Sequence, residues 1–157
     1  MLISEIRQII KNPHKLKNIN KIFNTHHKYI KIDFETYKRI YNECQIEFEK
    51  FHGSVLYLGM GDLFVPLNQS DKVKKTTILE IDKDVIEKNK EKIKKDWIII
   101  NEDAFNFITS DKFDIIFIDI WYSKVDEDIL NFIINKYLKY LKNNSIDNIY
   151  YLKKIFN

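Results

Sequence analysis

Gly53-Ser-Val-Leu-Tyr-Leu-Gly59-Met-Gly61-Asp62 holds every glycine of the chain. A protein of 157 residues with three glycines that keeps them together marks a place where the backbone needs φ > 0 or must come close to another group. Val55 to Leu58 reads as a buried strand that runs into a Gly-x-Gly turn. An apolar segment with Pro66 near its start follows. Strand, glycine turn and helix is how a mononucleotide-type ligand is held, because the turn admits the ligand to the backbone and the helix start offers N–H groups.

Downstream, short apolar runs recur about every twenty residues: Val55–Leu58, Thr77–Ile81, Trp97–Ile100 and Ile115–Ile118. Each is continuous rather than alternating, which is how strands covered on both faces of a parallel sheet read. Between them lie helix-like segments. Val85, Ile86, Asn89 and Ile93 share one face, Phe105, Phe107 and Ile108 fall in a short one, and Leu130, Ile133, Ile134, Tyr137, Leu138 and Leu141 make the clearest stripe. Ile149-Tyr-Tyr151 is a candidate fifth strand. Strand–helix alternation implies right-handed crossovers and an open α/β sheet.

Upstream, residues 1–52 read as a helical cap on the core of residues 53–157. Leu2, Ile3, Ile6, Ile9 and Ile10 recur at helical spacing up to Pro13, and Tyr37, Ile40, Tyr41, Cys44, Phe48 and Phe51 line a later helix. Cys44 is the only cysteine and sits on that stripe, so it reads as a core thiol. A lone cysteine excludes an internal disulfide and a cysteine zinc cluster. The four histidines, at 14, 26, 27 and 52, lack metal-ligand spacing, so no metal is expected.

Net charge is +3, but residues 1–31 carry seven Lys and Arg against Glu5 alone, leaving −3 for the rest. That basic segment is either a solvated surface or a face for nucleic-acid phosphates. No apolar run approaches the roughly 18–20 residues that span a bilayer, and Glu5 and Arg7 interrupt any signal-peptide core. The expected compartment is cytoplasmic. Lys, Ile and Asn abound and Ala104 is the only alanine, a bias that fits an AT-rich coding source such as some bacteria, their viruses, archaeal viruses or parasites.

Ligands of such sheets sit beyond the carboxyl ends of the strands. After the first strand come Gly59, Gly61 and Asp62. The second ends in Glu80-Ile81-Asp82, the third is followed by Glu102-Asp103-Ala104, and the fourth ends in Asp119-Ile120-Trp121-Tyr122. Every strand therefore delivers an acid to one edge. A carboxylate at the second tip can accept both hydroxyls of a ribose. Asp82 also suits a helix N-cap.

These four motifs, in this order over residues 53–142, resemble the class I S-adenosylmethionine-dependent methyltransferases and the related spermidine-synthase-like proteins, including small viral and mobile-element members. The resemblance implies a Rossmann-like methyltransferase fold with strand order 3-2-1-4, a fifth strand beside the fourth, and a sheet truncated from the usual seven strands. It implies S-adenosylmethionine as cofactor, held by Gly59, Gly61, Asp62, Glu80 at the ribose, Ile81, and Asp103 and Ala104 at the adenine. Asp119 and Tyr122 fall where the acceptor is handled, since related amine methyltransferases carry Asp/Asn-Pro-Pro-Tyr after this strand. The aromatic residue there can stack on a flipped base, which keeps nucleic-acid amine methylation as one alternative.

Departures bear on function. The acid that often precedes the first glycine and helps hold the ligand's ammonium group is missing, with Leu58 in its place; Asp62 is the nearest substitute. Leu63 replaces a third glycine and is expected at the rim of the cofactor site, where it would crowd the ligand. Aminopropyl transfer needs a second acid where Tyr122 stands, which argues against polyamine synthesis. The two main readings are a methyltransferase of unknown acceptor and a catalytically degenerate protein that binds or inhibits a protein partner. A short sheet with an open edge also invites a homodimer.

Overall fold

Continuous apolar runs form the sheet where the sequence places them. The computed structural model describes residues 49–120 and 127–151. The elements are β1 (Gly53–Leu58), α1 (Phe64–Leu67), β2 (Val73–Leu79), α2 (Lys83–Lys88), β3 (Ile98–Ile100), β4 (Ile115–Ile118), α3 (Glu127–Tyr137), 3-10 turns at Leu138–Tyr140 and Ile146–Asn148, and β5 (Ile149–Tyr151). The strands form one sheet of order β3-β2-β1-β4-β5, and every neighbouring pair is parallel. The expected order holds, with β5 beside β4. The cap expected over residues 1–52 falls on residues 1–48, outside the described residues, as do Cys44 and the basic segment 1–31.

Side chains alternate across the pleat, so each strand feeds two cores. Leu56, Leu58, Ile116 and Ile118 face α3 through Ile133, Ile134 and Tyr137. Val55, Tyr57, Ile115 and Phe117 face the other way, onto Phe51, Leu63, Val65, Ile78 and Trp97, with Val85, Ile86 and Ile93 packed beside them. Burial on both faces explains why β1 and β4 read as unbroken apolar runs. Each such side chain withdrawn from water contributes about 1.5–3 kcal/mol.

The helices are shorter than their stripes. α1 is a single turn, and Pro66 fits it because the first N–H groups of a helix have no intrahelical acceptor. α2 starts at Asp82, whose carboxylate accepts from the Asp84 N–H, and stops at Asn89 before the stripe reaches Ile93. Ala104, Phe105 and Asn106 make a turn, not the expected helix: Asp103 closes it from both its carboxylate and its carbonyl, Phe105 and Phe107 are buried, and Ile108 is left exposed. β2 starts at Val73, four residues before the apolar run, because Lys74 and Lys75 extend it in solvent.

Register sets the functional edge. Leu58 lies level with Leu79 and Ile118, Leu79 with Ile100, and Ile118 with Tyr151. The strands therefore end in one row, and the next residues of the first four are Gly59, Glu80, Asn101 and Asp119.

Candidate functional site

β1 is the topological switch point of this sheet, because its two neighbours, β2 and β4, leave in opposite directions. The backbones of β1 and β4 converge at its end. The Asp119 N–H donates to the Leu58 carbonyl at 2.8 Å, and the Gly59 N–H donates across to Leu79 at 2.8 Å. Gly59 adopts φ +98°, and a Cβ built there would overlap the Asp119 carbonyl oxygen. This glycine is demanded by the neighbouring strand.

Glu80 lies one residue past β2 and is only 5% exposed. One carboxylate oxygen accepts from the Met60 N–H at 3.2 Å, the other from the Asp82 N–H at 3.1 Å. The acid therefore ties the glycine turn to the start of α2. Asn101 braces it from the next strand: its amide donates to the carbonyls of Glu80 at 2.8 Å and Ile81 at 3.0 Å. Gly59, Gly61, Glu80 and Ile81 are thus brought together.

Leu63 corrects an expectation. Its backbone is left-handed, φ 66°, ψ 18°, the conformation a glycine takes without strain. Yet its side chain is wholly buried, 0% exposed, among Phe51, Tyr57, Val65 and Trp97. The side chain is therefore part of the core and not of the exposed rim expected for it. Burying a leucine, about 1.5–3 kcal/mol, outweighs the roughly 1–2 kcal/mol cost of the left-handed backbone. Asp62 is half-buried, and its carboxylate accepts from the Phe64 N–H at 3.1 Å, so it caps the one-turn helix that Leu63 leaves uncapped.

Asp103 is 7% exposed. Its carboxylate accepts from the Phe105 N–H at 3.0 Å and the Asn106 amide at 3.1 Å. Burial pushes its pKa up to about 6, against the Phe105 N–H and the nearby Lys136 charge, which pull it down. Tyr137 fixes the same turn from α3 by donating to the Ala104 carbonyl at 2.5 Å. Burial holds the Tyr137 hydroxyl well above its usual range, aided by the Asp103 charge. Asp103 and Ala104 therefore form a second rigid unit one strand away from Glu80.

Asp119 is half-buried at the tip of β4, next to Gly59. Tyr122 lies outside the described residues. Sequence reasoning missed Asn89, whose place on an apolar stripe was its only signal, and Tyr137, which looked like an ordinary stripe residue. Among the described residues no group of three His, Cys, Asp or Glu side chains could hold a metal ion, and no helix is long and apolar enough to cross a membrane.

No family model and no curated protein matches this chain. Solved structures do. The DhpI complex with S-adenosylhomocysteine superposes with TM-score 0.62 at 14% identity, over 83% of this chain and 65% of that one. The N-methyltransferase NodS from Bradyrhizobium japonicum WM9 gives TM-score 0.53 at 16% identity, over 69% and 64%. An S-adenosylmethionine-dependent methyltransferase from Clostridium acetobutylicum ATCC 824 gives 0.53 at 20% identity, over 81% and 55%. This chain spans less than two thirds of the length of each. The strand order, the switch-point turn and these likenesses define one fold, that of the class I S-adenosylmethionine-dependent methyltransferases.

Proposed function

We propose that the protein binds S-adenosylmethionine at the β1 turn and is a methyltransferase whose acceptor is still to be found. One observation carries this reading: Glu80, a buried carboxylate, is locked onto the glycine turn at the switch point. Its ribose role fits, because a carboxylate has about four acceptor positions, so a backbone clamp and a grip on a diol are compatible. Asp103, held rigidly at the next tip, suits the adenine amine when ionised. Gly59, Gly61 and Asp62 shape the turn, and Ile81 and Ala104 flank the base. Asp62 is a weaker ligand group than its position suggests, because it already caps α1.

S-adenosylmethionine brings a methyl group already activated on a sulfonium, so the protein's task is alignment more than proton transfer. Asp119, at the tip of β4 beside the turn, is the residue to orient an amine acceptor. Tyr122 would flank it. The basic stretch 1–31 makes nucleic acid the first acceptor to try, in the cytoplasm of a cell or of a virus-infected host.

The degenerate-binder reading drew on Leu63, on Leu58 in place of an acid, on the short sheet and on the altered fourth motif. With the Leu63 side chain in the core, its obstruction argument is removed and the other three remain. Calorimetric titration of the purified protein with S-adenosylmethionine and S-adenosylhomocysteine tests the proposal. Micromolar binding of both is expected, and no heat at millimolar ligand would refute it.

A further inference from the structure

Asn89 ends α2 and is 3% exposed. A buried primary amide needs partners for both hydrogens. Asn89 finds them in two carbonyls: Nδ2 donates to Val85 O at 2.8 Å and to Gly61 O at 2.8 Å. Both neighbours are acceptors only, so the NH2 end of the amide must face them. The Val85 bond closes the end of the helix, a local job. The Gly61 bond reaches 28 residues back, and no local requirement explains it.

Its place becomes clear beside Glu80. Glu80 takes the Met60 N–H, and Asn89 takes the Gly61 carbonyl. The β2–α2 unit thus grips the centre of the glycine turn at both ends, by an acceptor on one side and a donor on the other. The turn then closes on itself, with the Leu63 N–H donating to the Met60 carbonyl at 3.0 Å. Asp82, at the head of the same helix, is bonded through its own N–H to Glu80. The helix is therefore tied to the turn through both its caps, Asp82 by way of Glu80 and Asn89 directly.

We propose that Asn89 is a positioning residue for the ligand site: its amide holds the Gly61 carbonyl and so presets the shape of the turn that the ligand meets. This rests on the cofactor reading above. Preorganisation raises affinity by removing the cost of ordering the loop on binding. Asn89 need not touch the ligand to act this way.

Two variants separate holding from filling. Asn89→Ala removes amide and volume together. Asn89→Leu keeps the volume and improves helix propensity, yet offers Gly61 no donor. Backbone amide hydrogen exchange of the ligand-free protein reports the turn through the Met60 and Leu63 N–H groups. Calorimetry with S-adenosylhomocysteine reports affinity. In both variants Met60 and Leu63 should exchange about tenfold faster while Val55–Leu58 keep their protection, and S-adenosylhomocysteine should bind about tenfold more weakly. If Asn89→Leu leaves turn exchange and affinity within twofold of the wild type, Asn89 is only a helix end and the proposal falls. A loosened turn with unchanged affinity overturns it as well. A wild type that binds no S-adenosylhomocysteine would sink the cofactor reading instead, and exchange in the ligand-free protein would still convict or clear Asn89.

Discussion

The two ends of β1 solve the same problem in different ways. Each has a glycine at positive φ, Gly53 at the start and Gly59 at the end, and each has an acid that accepts a backbone N–H. At the start, Asp114 accepts from the Ser54 N–H at 2.8 Å and from the Lys142 ammonium at 3.0 Å. Burial raises its pKa, but Ser54, Lys142 and His52 together outweigh that and hold it below the usual carboxylate range. At the other end, Glu80 is held by two backbone N–H groups and Asp103 by a backbone N–H and a neutral amide. One end neutralises its acid with a lysine in contact. The other orients its acids with backbone N–H groups and a neutral amide. That is the difference between an acid that ties a strand to a lysine and acids that fix the turns at the strand tips, where the proposed ligand would sit.

The sharpest way to break this comparison is at the glycines. Gly59→Ala should cost about 3 kcal/mol or more, since a Cβ there meets the backbone carbonyl of Asp119 as well as an unfavourable φ. Gly53→Ala should cost only about 1–2 kcal/mol, mainly for its left-handed backbone, because the atom in its way belongs to the Asp114 side chain. Chemical denaturation of both variants checks the ranking, and equal losses would deny that β1 and β4 converge at the site.

Next come the acids. Glu80→Ala should weaken S-adenosylhomocysteine binding by roughly 1.5–3 kcal/mol, the scale for hydrogen bonds to a charged group, and lower stability by orphaning two buried N–H groups. Asp114→Ala should lower stability by about 1 kcal/mol and leave affinity untouched. Calorimetry on the two variants decides whether the ends of β1 divide their work as described.

Leu63→Gly follows. Emptying the core site costs about 2–5 kcal/mol and relaxing the left-handed residue returns about 1–2, so a net loss of about 2 kcal/mol at the midpoints is expected with no gain in affinity. Tighter binding by this variant would restore the crowding that the sequence suggested.

The smallest effect is in pH. Asp103 titrates near 6, above its unfolded value, so its protonated form favours the fold. That contribution is full at low pH and is lost as pH rises through about 6. Ligand affinity should run the other way, rising from pH 5 to 7 as the carboxylate ionises and can accept the adenine amine. Asp103→Asn should flatten the affinity profile, and its stability relative to wild type should improve from pH 5 to pH 8. Titrations at pH 5, 6 and 7 test the first claim and thermal melts the second.

Much of the frame was legible. Unbroken apolar runs located β1 and β4, their alternation with helix-like segments implied a parallel sheet, the family resemblance supplied the strand order, and acids after each run named the edge. Asp82 read correctly as an N-cap. What stayed hidden depends on direction in space. Leu63 looked like an obstruction because the sequence shows its bulk and not its left-handed backbone, which turns the side chain into the core. Asn89 read only as a member of an apolar stripe because its acceptor is 28 residues away. The turn at 104–106 was taken for helix because buried phenylalanines close together resemble a stripe.

The parallel register also biases the order of assembly. Val55 pairs with Thr76, 21 positions on, and with Ile115, 60 positions on. Closing the longer loop costs about 1 kcal/mol more in chain entropy. The β1–β2–β3 half, built from the contiguous residues 53–100, is therefore favoured to form before β4 docks. That half already contains Glu80, Asn89 and the whole glycine turn, so a nascent chain would shape its ligand grip before the strand that brings Asp119 arrives.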